Sequence, residues 1–412
     1  MPTLLSSRTI TVAGPAILKL SSTGAHKPVE SAAYQTLSYY PPGHKIDTEH
    51  IDRFDVTESL QSDRWSTGDF NFKTPGTNLD VTTNTLGRDA ASTPLEIYEW
   101  PGNYNEVAAG EELAGIRAQE LYAQNLRSQG SGNVRDIVCG TTFTLENFPQ
   151  ESANQEYLVL AASFTATEVG EATGTGEYSV STSFTVQPAT VAFRPPRTIA
   201  RPHAGPQTAI VTGPENQQIW TDLYGRVKIK FHWDRSPVDN NNSSCWVRVS
   251  YPWAGSRFGG INVPRVGQEV IVDFENNDPN RPIITGRVYN AANMPPWQLP
   301  DNASQSGGLT RSTQVGGYEN ANALRFEDRT GREQVWLHAE KDMLTEVEND
   351  ATKKIGNTST ITVGKNQVET VVISDIQNVG VLKMTNVGLI NSENVGAVKN
   401  VLVGGESAEE VG

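Results

Sequence analysis

From Val347 onward a β-branched residue returns at every eighth position: Val347, Ile355, Val363, Val371, Val379, Val387, Val395, Val403 and Val411. The next residue is glycine at seven of these nine places (Gly356, Gly364, Gly380, Gly388, Gly396, Gly404, Gly412), Glu348 and Val372 being the exceptions. Glycine accounts for 36 of 412 residues, so chance would fill fewer than one of nine such slots. The pattern is an internal repeat, and it restricts the fold more than any other feature.

Side chains on a strand alternate faces with a period of two, so an eight-residue repeat keeps the valine column on one face. Thr, Val, Ile and Asn fill the intervals, as suits strands rather than helices. Glycine beside each valine lets the backbone turn, or lets a neighbouring chain come close. Eight residues cannot complete a coil of a one-chain β-helix, and each strand left alone would expose its apolar side and its ladder edges. Three identical chains, each supplying one side of a prism, close the structure most simply. The expectation is a homotrimeric, intertwined β-helix with the column on its axis, nine octads rising roughly 40 Å at about 4.8 Å per strand.

Composition removes several alternatives. A net charge of −14 speaks against a nucleic-acid binder, which needs clustered Lys and Arg. Two cysteines, Cys139 and Cys245, make no disulfide scaffold and no CxxC metal site. No run of eighteen apolar residues occurs, so no membrane span is expected. The first residues lack the basic start and apolar centre of a cleavable signal peptide, so export would take another route.

Taken in order, residues 1–30 carry short apolar runs (Ile10–Val12, Ala16–Leu20) and stay unassigned. Residues 31–195 read as short extended segments, Asp69–Lys73 among them, around one helix, Glu106–Arg127. Glu106, Glu111 and Glu112 stand at its start, Arg127 at its end and Gly130 beyond, with an imperfect apolar stripe of Leu113, Ile116 and Leu121. Strands follow at Thr141–Leu145, Tyr157–Phe164, Tyr178–Val186 and Val191–Phe193. A Pro-rich bridge, Arg194–Pro206, marks a boundary, and residues 196–300 read as a small closed barrel. Its core is expected from Val227, Ile229, Phe231 and Trp233, which alternate with Lys228, Lys230 and His232, and from Val270, Val272 and Phe274. Trp246–Val249, Glu269–Phe274 and Ile283–Tyr289 are further strands, with a turn at Asn276–Pro279. Residues 301–340 form a linker, Ser/Gly-rich over Asp301–Gly308, and two strands around Leu324–Asp328 and Gln334–His338. The octads occupy 341–412.

No constellation of catalytic, cofactor-binding or metal-ligating residues is found, so neither enzyme activity nor a cofactor is expected. His26, His44, His50, His203, His232 and His338 show no HExxH spacing, and the pairs His232/Asp234 and His338/Glu340 read as outward strand residues. There is no GxSxG and no GxxxxGK[ST]; Val363-Gly-Lys365 is one octad. The basic, aromatic strand Lys228–Trp233 would suit an oligonucleotide-binding face, but the acidic balance favours packing.

Gln217-Gln-Ile-Trp-Thr-Asp-Leu-Tyr-Gly-Arg-Val-Lys-Ile-Lys-Phe-His-Trp-Asp234 resembles the core of the valine-glycine repeat (VgrG) spike proteins of type VI secretion systems. So do Ser244–Ser250, Val263–Phe274 and Arg281–Asn290, together with Phe193–Arg197, Leu324–Asp328 and Leu337–Asp342 leading into the octads. Tyr98-Glu-Trp-Pro-Gly-Asn-Tyr104 is similar, more loosely, to the family's hub. The resemblance covers about residues 31–412, and the family's first hub barrel is not found in full, which fits a shortened or a divergent chain.

The resemblance implies a mainly β protein: a hub β-barrel with a small helical insert, an OB-fold neck barrel and an intertwined trimeric triangular β-helix. It implies a structural spike that docks on the hexameric tube protein (Hcp) and baseplate proteins, carries a PAAR-repeat tip protein and effectors, and crosses target membranes mechanically. It places the protein in the bacterial cytoplasm before firing and outside the cell, or in a target cell, afterwards. Some phage relatives carry a lysozyme between barrel and shaft, and Asn290–Leu324 is too short for one. Two other readings are an effector domain beyond Gly412, since the chain stops mid-octad without a polar cap, and a free OB-fold oligonucleotide binder.

Overall fold

The computed structural model describes residues 9–12, 26–43, 46–59, 61–62, 64–84, 95–169, 177–314 and 316–408. Val411, Gly412, His44 and the run Ala16–Leu20 lie outside them. The chain divides into two units, Met1–Glu340 and Lys341–Gly412.

The first unit begins with strands β1 (Thr9–Val12), β2 (Thr36–Ser38), β3 (Ile51–Asp55), β4 (Arg64–Thr67), β5 (Val81–Asn84) and β6 (Glu96–Glu99). Helix α1 (Val107–Asn125) follows, then β7 (Ser128–Gly132), β8 (Thr142–Glu146), β9 (Glu156–Val169) and β10 (Glu177–Pro188). One sheet runs β2-β8-β9-β10-β7-β3, with β1 on β9. A bridge between Tyr39 and Ile51 joins the two ends of that path and rolls it into a barrel. Alternation explains the filling: Phe143 and Leu145 of β8, Tyr157 and Val159 of β9, and Phe184 and Val186 of β10 all turn inward with Leu37, Ile51 and Phe54. Gly130, read from sequence as a helix stop, lies opposite Phe184 in the β7–β10 ladder. A Cβ there would stand 2.4 Å from the Phe184 ring, so the glycine is the space that ring fills.

A second, three-stranded sheet runs β5-β4-β6 and is covered by α1. Of the expected stripe, Leu113 and Leu121 pack against this core, and Ile116 is the residue corrected. Gly110, Ala114, Ala118 and Ala123 are buried, Leu113 and Leu121 are partly buried, and Ile116 is exposed. Small residues face the sheet because the Tyr104 ring already fills the gap. Its hydroxyl lies 2.5 Å from the Leu79 carbonyl oxygen and 3.0 Å from that of Thr67. A Cβ on Gly110 would come within 2.6 Å of that ring. Helix propensity alone favours Gly→Ala by about 1 kcal/mol, whereas forcing a methyl into a filled core costs about 1–3 kcal/mol. Gly110→Ala is therefore expected to lower stability in a denaturant titration, against its propensity.

The barrel of residues 207–288 is built from β11 (Gln207–Thr212), β12 (Lys228–Phe231), β13 (Arg248–Val249), β14 (Glu269–Phe274) and β15 (Pro282–Val288). The order is β12-β11-β14-β15-β13, and a Val227–Val247 bridge closes the ring. The β13–β15 pair is parallel and the other ladders are antiparallel. That ring order is the OB topology. Val227, Ile229, Val270, Val272 and Phe274 are buried in it with Ala209, Val211, Val247 and Ile284, and Phe231 packs at its margin. Trp233 is a correction, because it is 66 % exposed. β12 ends at Phe231, the chain turns as Asp234 N–H donates to the Phe231 carbonyl (3.1 Å), and the indole lies flat on the Phe231 ring outside.

The expected linker at Asp301–Gly308 is also corrected. It contains strand β16 (Gln305–Leu309), which forms an antiparallel meander with β17 (Ala323–Glu327) and β18 (Gln334–His338). Gly307, at φ 134°, makes this possible, since a Cβ there would stand 2.1 Å from the Leu324 carbonyl oxygen. Asp69–Lys73 is a turn-rich loop, and Val191–Phe193 lies outside any strand.

The second unit is extended chain with a bend at 348–349, 356–357, 364–365, 372–373, 380–381, 388–389, 396–397 and 404–405. Every described residue of it is solvent-exposed. Among them no backbone N–H meets a backbone carbonyl of the same chain.

Candidate functional site

The octads are the first functional element. Each bend falls on the residue after a column residue, so the column marks a corner eight residues from the next. The eight described column side chains are the least exposed large apolar groups of the unit, from 44 % at Ile355 to 55 % at Val379. Apolar side chains elsewhere between Ile361 and Leu402 run from 69 % at Leu382 to full exposure at Val381. The chain's own winding thus half-covers the column and leaves the other half open. The repeat glycines are informative in another way. None of those described has a positive φ. A Cβ on Gly356, Gly364, Gly380, Gly388, Gly396 or Gly404 would meet nothing within 4 Å. Glu348 and Val372 make the same bend with side chains. Nothing within one chain therefore demands glycine there.

The second element joins the two barrels. Asp69, in the loop after β4, has a fully buried side chain, and its Oδ2 accepts a hydrogen bond from Arg281 of the OB barrel at 2.6 Å. The same carboxylate accepts the N–H groups of Phe70 (2.7 Å) and Asn103 (2.6 Å). Burial pushes the Asp69 carboxyl up, but the Arg281 guanidinium and the two N–H donors outweigh it and hold it below the usual carboxylate range. Nearby, Phe72 lies beneath the guanidinium groups of Arg248 (4.8 Å) and Arg226 (5.2 Å), with the Tyr224 ring edge-on at 5.4 Å.

The Pro-rich bridge is also docked rather than free. Arg197 donates two hydrogen bonds to Glu99 (2.7 and 2.8 Å), and Arg201 adds a third at 3.2 Å. Arg194 reaches Gln119 of α1 at 2.8 Å, and Ala204 N–H donates to the Asn277 carbonyl at 2.9 Å. Burial pushes Glu99 up, yet the Arg197 and Arg201 charges leave it below its ordinary value. None of these pairs was identified from sequence, because Asp69 and Arg281 are separated by 212 positions. The one available signal was the concentration of arginines in a proline-rich bridge.

Phe72 also bears on the oligonucleotide reading. On β12 and β13 of an OB barrel, where such ligands bind, Lys228 lies over the Trp246 ring and Arg248 over Phe72. A side chain of the preceding domain thus occupies part of that face. His232 lies 3.7 Å from Glu269, and His338 stacks on Trp336. Among the described residues no group of three or more His, Cys, Asp or Glu is placed to hold a metal ion. No described helix is long and apolar enough to cross a membrane.

Three family descriptions match successive stretches: "Phage tail baseplate hub (GPD)" over residues 14–170, "Type VI secretion system/phage-baseplate injector OB domain" over 200–289, and "Bacteriophage T4 gp5 C-terminal trimerisation domain" over 306–412. The type VI secretion system spike protein VgrG1c of Pseudomonas aeruginosa is 43 % identical over 338 residues, covering 81 % of this chain and 46 % of the relative. VgrG3 of Vibrio cholerae is 35 % identical over 78 % of this chain and 31 % of its own length. An actin cross-linking toxin, VgrG1, of the same species is 34 % identical over 77 % of this chain and 30 % of its own. A solved Escherichia coli type VI secretion component is similar at 15 % identity and a TM-score of 0.36, covering 63 % of this chain and 51 % of that one. The chain spans about half the length of the Pseudomonas relative.

Proposed function

This chain belongs to the VgrG family of type VI secretion spike proteins, and on that footing we propose that three copies assemble into the puncturing spike of a contractile secretion machine. The observation that carries the proposal is the octad unit. Among its described residues the column is half-covered, no backbone hydrogen bond is made within the chain, and the repeat glycines answer to nothing in their own chain. Two further copies supply all three requirements: apolar partners for the column, ladder partners for each strand, and a backbone close enough to exclude a Cβ. A prism hydrogen-bonded above and below every strand has no free edge to splay under axial load.

The hub barrel meets the tube protein and the baseplate, the far end of the shaft carries a PAAR-repeat tip and effectors, and the action is mechanical. It starts in the cytoplasm and ends outside the cell or in a target. Trp246 and Phe72, already engaged with Lys228 and Arg248, leave little of the OB face for a nucleic acid. A mass measurement in solution is expected to give three chains per particle; a stable monomer would overturn the reading. A second reading, a spike that carries an enzymatic domain beyond Gly412, is favoured by the relative named as an actin cross-linking toxin, of which the matched stretch is 30 %. The gene sequence past this point decides it.

A further inference from the structure

The OB barrel carries an apolar loop that its own core does not use. Between β13 and β14, Tyr251–Asn262 presents Trp253 at 82 %, Phe258 at 59 % and Ile261 at 75 % exposure. Arg257 is the one charged residue in the stretch. The loop is braced. Gly255 N–H donates to the Phe258 carbonyl and Gly260 N–H to that of Pro252, each at 2.9 Å, and the Trp253 and Phe258 rings meet edge-on at 5.9 Å. Its base is pinned as Tyr251 Oη donates to the Gly225 carbonyl (2.8 Å) and Arg287 to Asn262 Oδ1 (2.8 Å). Trp253 holds φ 59° and Arg257 φ 62°, a left-handed backbone that bulky residues avoid unless something fixes them there. Gly259, at φ 130°, admits the Trp253 carbonyl oxygen where a Cβ would stand 2.4 Å away.

A strained, braced and nearly uncharged aromatic tip has the composition of a permanently buried contact rather than of a transient polar one. What covers it follows from the loop's continuation. Arg265 donates to the Arg311 carbonyl at 2.7 Å, and Gln218 receives both Val266 N–H at its carbonyl (3.0 Å) and Gln314 N–H at its side-chain oxygen (3.1 Å). Arg311 and Gln314 lie inside the stretch that matches the trimerisation domain. The residues that follow the loop are therefore hydrogen-bonded, directly or through Gln218, to the stretch that matches the trimerisation domain. We propose that loop 251–262 is an inter-subunit clasp: the Trp253 and Phe258 rings of each copy seat against the OB barrel of a neighbouring copy.

The proposal rests on the trimeric reading above, and the test separates the two. The full chain, with Cys139→Ser and Cys245→Ser, receives one thiol at Phe258→Cys or, in a second variant that keeps the rings, at Ile261→Cys. Maleimide labelling is timed in native buffer and in guanidinium, and the native mass is measured on the same sample. In a particle of three chains, labelling about tenfold slower than in the unfolded chain is expected, because thiol reactivity follows exposure. Three chains with both thiols labelling within about twofold of the unfolded rate would overturn the clasp and leave the spike standing. A monomer would overturn the trimeric reading itself.

Discussion

Val379→Asp and Val387→Asp are each expected to leave the chain unable to assemble. In the trimer three carboxylates would share one layer on the axis. Burying an unpaired charge, or separating like charges in a low-dielectric core, costs several kcal/mol, and each layer would bear it three times over. The single-chain geometry is what makes the column the sensitive set: Val379 and Val387 are half-covered by their own winding, whereas Val381 and Leu389 on the same octads are almost fully exposed. Val381→Asp is therefore the control and is expected to keep the trimer. Mass in solution and resistance to heat in detergent read out both. A trimeric, heat-resistant Val379→Asp would remove the column from the axis.

The second large effect concerns the joint between the barrels. Arg281→Ala strips the partner from a carboxylate with no solvent exposure and leaves it held by two backbone N–H groups. Breaking a buried ion pair from one side costs about 3–5 kcal/mol. Asp69→Asn together with Arg281→Met should recover much of the loss, since replacing both partners removes the stranded charge. Limited proteolysis within the bridge 194–206 and thermal unfolding are the readouts, and an unchanged Arg281→Ala would show that the pair bears no load. The pH dependence has a definite sign. Asp69 is depressed in the folded state, so its contribution is fully present above the unfolded value near 3.9 and is lost as pH falls through the lower folded value. The joint should loosen in strong acid while neutral and mildly acidic buffers leave it intact.

Much of this architecture could be read locally. The octads declare themselves through a column and its glycines, and strand β14 and strand β18 fall where alternation puts them, at Glu269–Phe274 and Gln334–His338. The hub helix lies close to where it was expected, at Val107–Asn125, but its first turn holds no acidic residue, its last turn no basic one, and Gly130 belongs to β7, so its ends did not announce it as read. Leu113 and Leu121 of the apolar stripe do pack against the core beneath α1, Ile116 stays exposed, and beside the Tyr104 ring alanine and glycine are what fit. Trp233 failed for a similar reason: alternation runs on in the letters after the strand has ended at Phe231. The Ser/Gly-rich stretch at 301–308 looked like a linker because glycine usually weakens strands, whereas at Gly307 it admits the neighbouring carbonyl that a strand with side chains would exclude.

The sequence by itself determined the repeat, its even period, and hence that one chain cannot close its own shaft, because period and face are properties of neighbouring residues along a strand. Only the tertiary structure decided how the two barrels close and what binds one to the other. The Tyr39–Ile51 and Val227–Val247 closures each join strands of one barrel, whereas the Asp69–Arg281 pair and Phe72 beneath two arginines join residues far apart in the chain. Such contacts leave no periodic trace, since each is set by where strands or surfaces come to lie once the chain has folded.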